Sequence, residues 1–333
     1  MGRRWGKLFG LGVLTLSFVV AYWAGALAQK KPLRVAALLP GAITDNAFNA
    51  AGYKALQYLK EKYKVEYIYQ ENVPQADFEG AFRDLGKKGF DLIWGHGFQF
   101  GDAAKKVAPQ FPNSKFVVTE TTVFQPPNMA SLRSRWEELG FMAGAFAGQM
   151  TKSGTVGVVG AIPIPVITQF MESFVNGAKY VNPKAKGLKA YNGSLFDVAS
   201  GKQAALAMID QGADILAGIG NENILGVIYG ARERKVYAIG TAHDQWQVAP
   251  DTVMVSAVIE FGVGIGKLIE QIEKGKFEAR NYEMTLAPGG GLALSPFHNF
   301  EGKVPGKVRS RLEQIRKDII AGKIKPLPAE EKK

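Results

Sequence analysis

A nine-residue pattern occurs twice in this chain and sets most of what it can fold into. Gly89-Phe90-Asp91-Leu92-Ile93-Trp94-Gly95-His96-Gly97 reads G-x-D-Φ-Φ-x-G-x-G, and Gly212-Ala213-Asp214-Ile215-Leu216-Ala217-Gly218-Ile219-Gly220 repeats it 123 residues later. Each copy is a helix-ending glycine, a short apolar strand and a glycine-loosened turn at the strand's carboxyl end. One common helix–strand turn met twice is the simpler reading. Two copies in equivalent places argue instead for two lobes of one design.

The flanking sequence supports two lobes. Apolar runs suited to buried strands occur at Arg34–Leu39, Val65–Tyr69, Asp91–Trp94 and Phe116–Val118. Between them helical spacing runs from Phe48 to Leu59, Gln75 to Leu85 and Ala103 to Val107. The alternation then restarts. Helices are expected at Glu137–Met150, Thr168–Tyr180, Lys202–Ile209 and Asn223–Arg232, and strands at Val156–Val159, Leu188–Tyr191, Asp214–Ala217 and Val236–Ile239. Such alternation predicts an α/β fold with parallel sheets covered by helices on both faces. A length of 333 residues, 47% of them hydrophobic, suffices for two cores.

The first 28 residues read differently. Arg3, Arg4 and Lys7 precede an uncharged stretch from Leu8 to Ala28 that ends Ala26-Leu27-Ala28. This is the layout of a secretory signal peptide cleaved after Ala28; an uncleaved membrane anchor is the alternative. Either predicts a body outside the cytoplasm, here the periplasm. Without those three cations the formal charge of +11 falls to +8, from 38 Lys+Arg against 30 Asp+Glu. The remaining cations are scattered or clustered as on solvated helix faces, so no nucleic-acid partner is expected. With no Cys and only three His, disulfides, thiolate metal sites and a cysteine nucleophile are excluded. No metal or cofactor is expected.

Ligands of open parallel sheets lie beyond the strands' carboxyl ends. The segments there carry Asp45, Asn46, Phe48 and Asn49; Gly97 and Phe98; Glu120 and Thr121; Asn221 and Glu222; and Asp244. Trp136 and Phe170 join them as candidate rings. Rings grip a flat ligand by its faces, and amides and carboxylates read its edge. Each has a plainer reading. Asp45 serves equally as a helix cap, Phe48, Trp136 and Phe170 as core, and Glu120 as a solvated strand end. At least one of Phe98 and Phe100 is expected to stack. No G-x-S-x-G, H-E-x-x-H or Walker sequence occurs. His243 and Asp244, adjacent at one strand end, point in different directions, so no catalytic residue is expected.

These residues also form a recognisable series. D-x-A-F-N stands at Asp45, Ala47, Phe48 and Asn49, followed by Gly89 to Phe98, Lys115 to Val118, Glu138 to Gly144 and Phe170. The series continues through Asp210 to Asp214, Gly226 to Ile228, Asp244-Gln245, and Gly289 to Leu292 before Ser295-Pro296-Phe297. From Leu33 to Lys325 the chain resembles the basic-membrane-protein family of ABC-transporter substrate-binding proteins, which includes purine nucleoside receptors. The resemblance implies a type I periplasmic-binding fold, two doubly wound lobes joined by three hinge crossings near Thr122, Glu260 and Ala287. The lobes would be 33–122 with 261–287, and 123–260 with 288–333. It implies a monomer that closes on a small purine-like base or nucleoside and docks on an ABC permease. A sensor feeding a signalling receptor is the alternative role, and a nucleoside-processing enzyme a weaker one.

Two departures bear on the ligand. Gly240-Thr241-Ala242-His243-Asp244-Gln245 has Ala242 where the family's pattern has a carboxylate used on ribose hydroxyls. Ile259-Glu260 stands where a basic residue is usual. Sugar hydroxyls left unpaired in a closed cleft cost about 1–3 kcal/mol each, so the expected ligand is a free base or another flat heterocycle. The family's lipid-anchor Cys is missing too, which predicts a free periplasmic protein.

Overall fold

The computed structural model describes residues 31–327; the expected signal segment and its cleavage point lie outside them. The described part begins β1 (Arg34–Leu38), α1 (Phe48–Tyr63), β2 (Glu66–Gln70), α2 (Phe78–Lys87), β3 (Leu92–Gly95), α3 (Gly101–Val107), β4 (Lys115–Thr119) and β5 (Met129–Ser134). It continues α4 (Trp136–Met150), β6 (Thr155–Gly160), α5 (Pro165–Val181), β7 (Lys186–Tyr191), α6 (Val198–Asp210), β8 (Ile215–Ile219), α7 (Asn223–Glu233), β9 (Tyr237–Ala242) and β10 (Val253–Ile259). Four elements close it: α8 (Phe261–Glu273), β11 (Asn281–Met284), β12 (Leu292–Leu294) and α9 (Gly306–Ile320).

Two six-stranded sheets result, in the orders β2-β1-β3-β4-β5-β11 and β7-β6-β8-β9-β10-β12. They match strand for strand except at the last, where β11 runs parallel to β5 and β12 antiparallel to β10. The repeated pattern becomes β3 and β8, each third from the same edge. Its aspartates are structural. Asp91 accepts the Arg34 amide at 2.7 Å, and Asp214 accepts the amides of Lys152 and Ser153 at 2.7 and 2.8 Å. Both carboxylates thus tie down the amino ends of neighbouring strands.

The first lobe extends further than the sequence indicates. Thr122 does not mark the crossing: β5 pairs in parallel with β4, Phe116 opposite Met129, and the chain leaves the first sheet only at Arg135. The cause is a turn around Asn128. Its buried amide nitrogen lies 2.8–2.9 Å from the carbonyls of Ala108, Phe111 and Ser114, which pins the chain back beside β4. After β10 of the second sheet the chain returns to the first sheet as β11, and between Met284 and Leu292 it passes back to the second as β12. The three strands of connection are bonded together. The Arg135 amide donates to the Met284 carbonyl at 3.0 Å and the Glu260 amide to Gly291 at 2.8 Å. Glu138, on the first turn of α4, accepts the Leu286 amide at 2.8 Å.

Candidate functional site

The carboxyl ends of the two sheets face one cleft, and the residues there separate into two compartments. The first is a slot of about 50 Å³ walled by Phe48, Gly97, Phe98, Gln99, Glu120 and Trp136 on one side. Ile164, Ile167, Leu195, Phe196, Gly220 and Asn221 wall the other. The second is a larger cavity of about 250 Å³. It lies between α1 (Ala51, Lys54, Tyr58), the end of β9 (Ala242, His243, Asp244), Glu260 and the Leu294–Pro296 segment. Aromatic rings concentrate in the slot, and charged groups in the larger cavity.

Glu120 is the buried acid of the slot. It sits one residue past β4 with φ of +61°, a conformation uncommon for a side-chain-bearing residue. Its Oε1 accepts the Ser134 hydroxyl and its Oε2 the Trp136 indole N–H, both at 2.6 Å. Burial pushes its carboxyl up to about 7, against the lowering effect of those two hydrogen bonds and the Arg133 charge. The duplicate position in the second lobe is Ala242, one residue past Thr241 as Glu120 follows Thr119, with φ of +65°. The two lobes thus present the same strained strand end, with an acid on one side only.

Six of the residues expected to bind ligand meet at the slot: Phe48, Gly97, Phe98, Glu120, Trp136 and Asn221. Asp244 lines the larger cavity instead, where its carboxylate accepts the His298 Nε2–H at 2.7 Å. The remaining six stand behind the wall. Asp45 is buried and its oxygens accept the amides of Ala47, Asn49 and Ala50 at 2.8 Å, so it acts as the cap of α1. Asn49 spends its amide on Asp45 and on the Gly41 N–H. Asn46 offers its backbone carbonyl to Gln245 at 2.8 Å across the cleft. Thr121 turns its hydroxyl to the Val123 amide. Glu222, its carboxyl raised by burial and by the Asp45 charge, lies beside the slot rather than on its wall. Phe170 is fully buried and meets Trp136 edge-on at 5.8 Å, which makes it backing for the Trp136 ring. Of the two rings on the 98–100 turn, Phe98 reaches the slot and Phe100 is core, packed on Phe78.

Leu195 and Phe196 were not expected. They follow β7 as Phe98 follows β3, and the rule that assigns ligands to strand carboxyl ends applies to them equally. His298 carries no such signal: its segment follows β12, far from Asp244 in sequence. Its imidazole stacks on Trp246 at 4.6 Å. His243 is not paired with Asp244 as a dyad. Burial and the Lys54 charge hold its imidazole below the usual range.

A cleft between two matched α/β lobes, lined by rings and a few polar groups, with three hydrogen-bonded connections behind it, defines a solute-binding protein of the type I periplasmic kind. Over residues 33–324 the chain matches the model of the PnrA-like ABC transporter substrate-binding proteins, and it belongs to that family. It is 30% identical over 312 residues to a purine-binding protein of Brucella abortus, covering 93% of this chain and 87% of that one. It is 26% identical over 307 residues to an ABC transporter nucleoside-binding protein of Lactococcus lactis, covering 85% of each. Among solved structures, an ABC transporter solute-binding protein from Aeropyrum pernix superposes with a TM-score of 0.78 over 90% of this chain and 95% of that one, at 22% identity. That likeness concerns the fold.

Proposed function

We propose that this protein is the exported receptor of an ABC importer and captures a flat, purine-like base by closing two lobes upon it. The observation that carries this reading is Glu120, a buried carboxyl set in the wall of an aromatic slot. A base fits between rings such as Phe48, Phe98, Trp136 and Phe196, while Glu120 and Asn221 read its edge. Near neutral pH the carboxyl is poised either to donate to a ring nitrogen or, ionised, to accept an N–H. At about 50 Å³ the slot is smaller than a 150 Å³ cavity that holds benzene, so a base does not fit it as it stands. Loading therefore requires the lobes to part and close again, about the crossings at Arg135, Glu260 and 285–291.

Ala242 favours a base over a nucleoside, because the second lobe offers no acid where the first offers Glu120. The purine-binding relative of Brucella abortus supports the same class. The closed form would dock on a membrane permease, and the lobes themselves catalyse no step. Calorimetry with adenine, guanosine and adenosine tests the reading. Tight adenine binding with weak nucleoside binding is expected; the reverse order overturns it. The basic-then-apolar start of the chain supports export, and the mature protein is expected to begin at Gln29.

A further inference from the structure

The Phe48 ring lies flat on the His96 imidazole, with centroids 4.0 Å and planes 12° apart. His96 is fully buried and takes no part in the cavity wall. Trp94 and Phe261 meet the imidazole edge-on at 5.0 and 4.8 Å. Its Nε2–H donates to the Phe48 carbonyl at 2.8 Å, and its Nδ1 accepts the Thr119 hydroxyl at 3.3 Å. That hydroxyl in turn accepts the Gly97 amide at 3.0 Å. One side chain is thus joined to both segments that carry first-lobe rings of the slot: the start of α1 with Phe48, and the turn with Phe98.

The neighbourhood is shaped around this ring. Gly52 stands on α1 where a Cβ would lie 2.8 Å from the imidazole, so any other residue would drive His96 off Phe48. Burial lowers the imidazole to about 3. It stays neutral through the physiological range, with donor and acceptor roles fixed by the partners named above. An aliphatic side chain would fill the same space but could neither stack flat nor hold the two backbone segments in register.

We propose that His96 is a positioning residue of the cleft: it fixes the plane of Phe48 and, through Thr119, the turn that carries Phe98. This rests on the reading of the slot as a base-binding site, and its test is separable from that reading. In calorimetry, His96→Gln is expected to weaken adenine binding about fivefold, the scale of one aromatic pair. In a Phe48→Leu background the same change is expected to cost clearly less, because only the part carried through Thr119 to the Phe98 turn remains. Equal losses in both backgrounds would mean a merely structural role and overturn the proposal, as would unchanged affinity. Thr119→Val, which keeps the volume, is expected to weaken adenine binding at least twofold; no change removes the Phe98 half of the proposal. A ligand-free arm uses aromatic ¹³C resonances of phenylalanine-labelled protein, with Phe48 assigned by its loss in Phe48→Leu. Those signals are expected to move in His96→Gln, and their constancy would overturn the proposal. If the wild-type chain takes up none of the bases or nucleosides, the base-binding reading fails and the resonances alone decide the role of His96.

Discussion

Glu120 concentrates the chemistry of the slot in one side chain, and its environment makes a pH prediction. In the unfolded chain its carboxyl titrates near 4.5; in the folded chain burial raises it to about 7. The folded state therefore binds this proton more tightly. The stabilisation linked to it is complete below about 4.5 and is lost as pH rises through about 7. Glu120→Gln replaces the carboxyl by a neutral group of the same shape and abolishes the linkage. Denaturant titrations from pH 4 to 8 are expected to show wild-type stability falling relative to the variant, by on the order of 3 kcal/mol in all. Taking the difference removes His96, whose depressed value acts with the opposite sign: its stabilisation is present above about 6.5 and is lost as pH falls toward about 3. Parallel profiles for wild type and variant would show that Glu120 is ionised in the folded chain and that the slot is wetter than its walls imply.

At the scale of elements, the second lobe depends on the contact of α4 with α5. Gly140, Gly144 and Gly148 recur every fourth residue along α4, and each faces a carbonyl of α5, those of Phe170, Phe174 and Ala178. A methyl at Gly144 would stand 1.8 Å from the Phe174 carbonyl oxygen. Gly144→Ala is therefore expected to force the helices apart and to cost about 1–3 kcal/mol or more in chemical denaturation, despite the better helix propensity of alanine. A stabilised variant would refute the tight packing. The Ala- and Gly-rich run of α4 carries this contact in the sequence, as the repeated G-x-D pattern carries the equivalence of β3 and β8 in the two sheets. β5 was not legible, because its register is set by Asn128 bonding to three carbonyls distant in sequence. The same limit governs the site. Rings following strands could be found by position, but no local signal separates Phe98, which lines the slot, from Phe100, which is core. Nor could it show that the Asp45 carboxylate would be spent on α1.

At the scale of the whole molecule, few side-chain hydrogen bonds join the two lobes across the cleft among the described residues. Gln245 donates to the Asn46 carbonyl at 2.8 Å, and the Asn49 amide meets the Asn221 oxygen at 3.4 Å. Outside the slot, Arg133 of β5 donates to Gln169 of α5 at 2.8 Å, and pairs with Glu137 at the same distance. Gln169 touches neither compartment, so it separates closure from ligand contact. If ligand binds only the closed form, its measured affinity scales with the fraction of molecules able to close. Gln169→Ala removes one interlobe bond, worth about 1 kcal/mol and hence roughly fivefold in the open–closed ratio. The ligand-free variant is expected to have a larger radius of gyration by small-angle scattering than wild type, and saturating adenine is expected to bring both to the same compact value. Adenine affinity is expected to fall by no more than the same factor, chiefly through faster dissociation, because the ligand leaves when the lobes reopen. A radius of gyration that ignores both the substitution and the ligand would mean that the lobes do not move, and that the slot must open by side-chain motion alone.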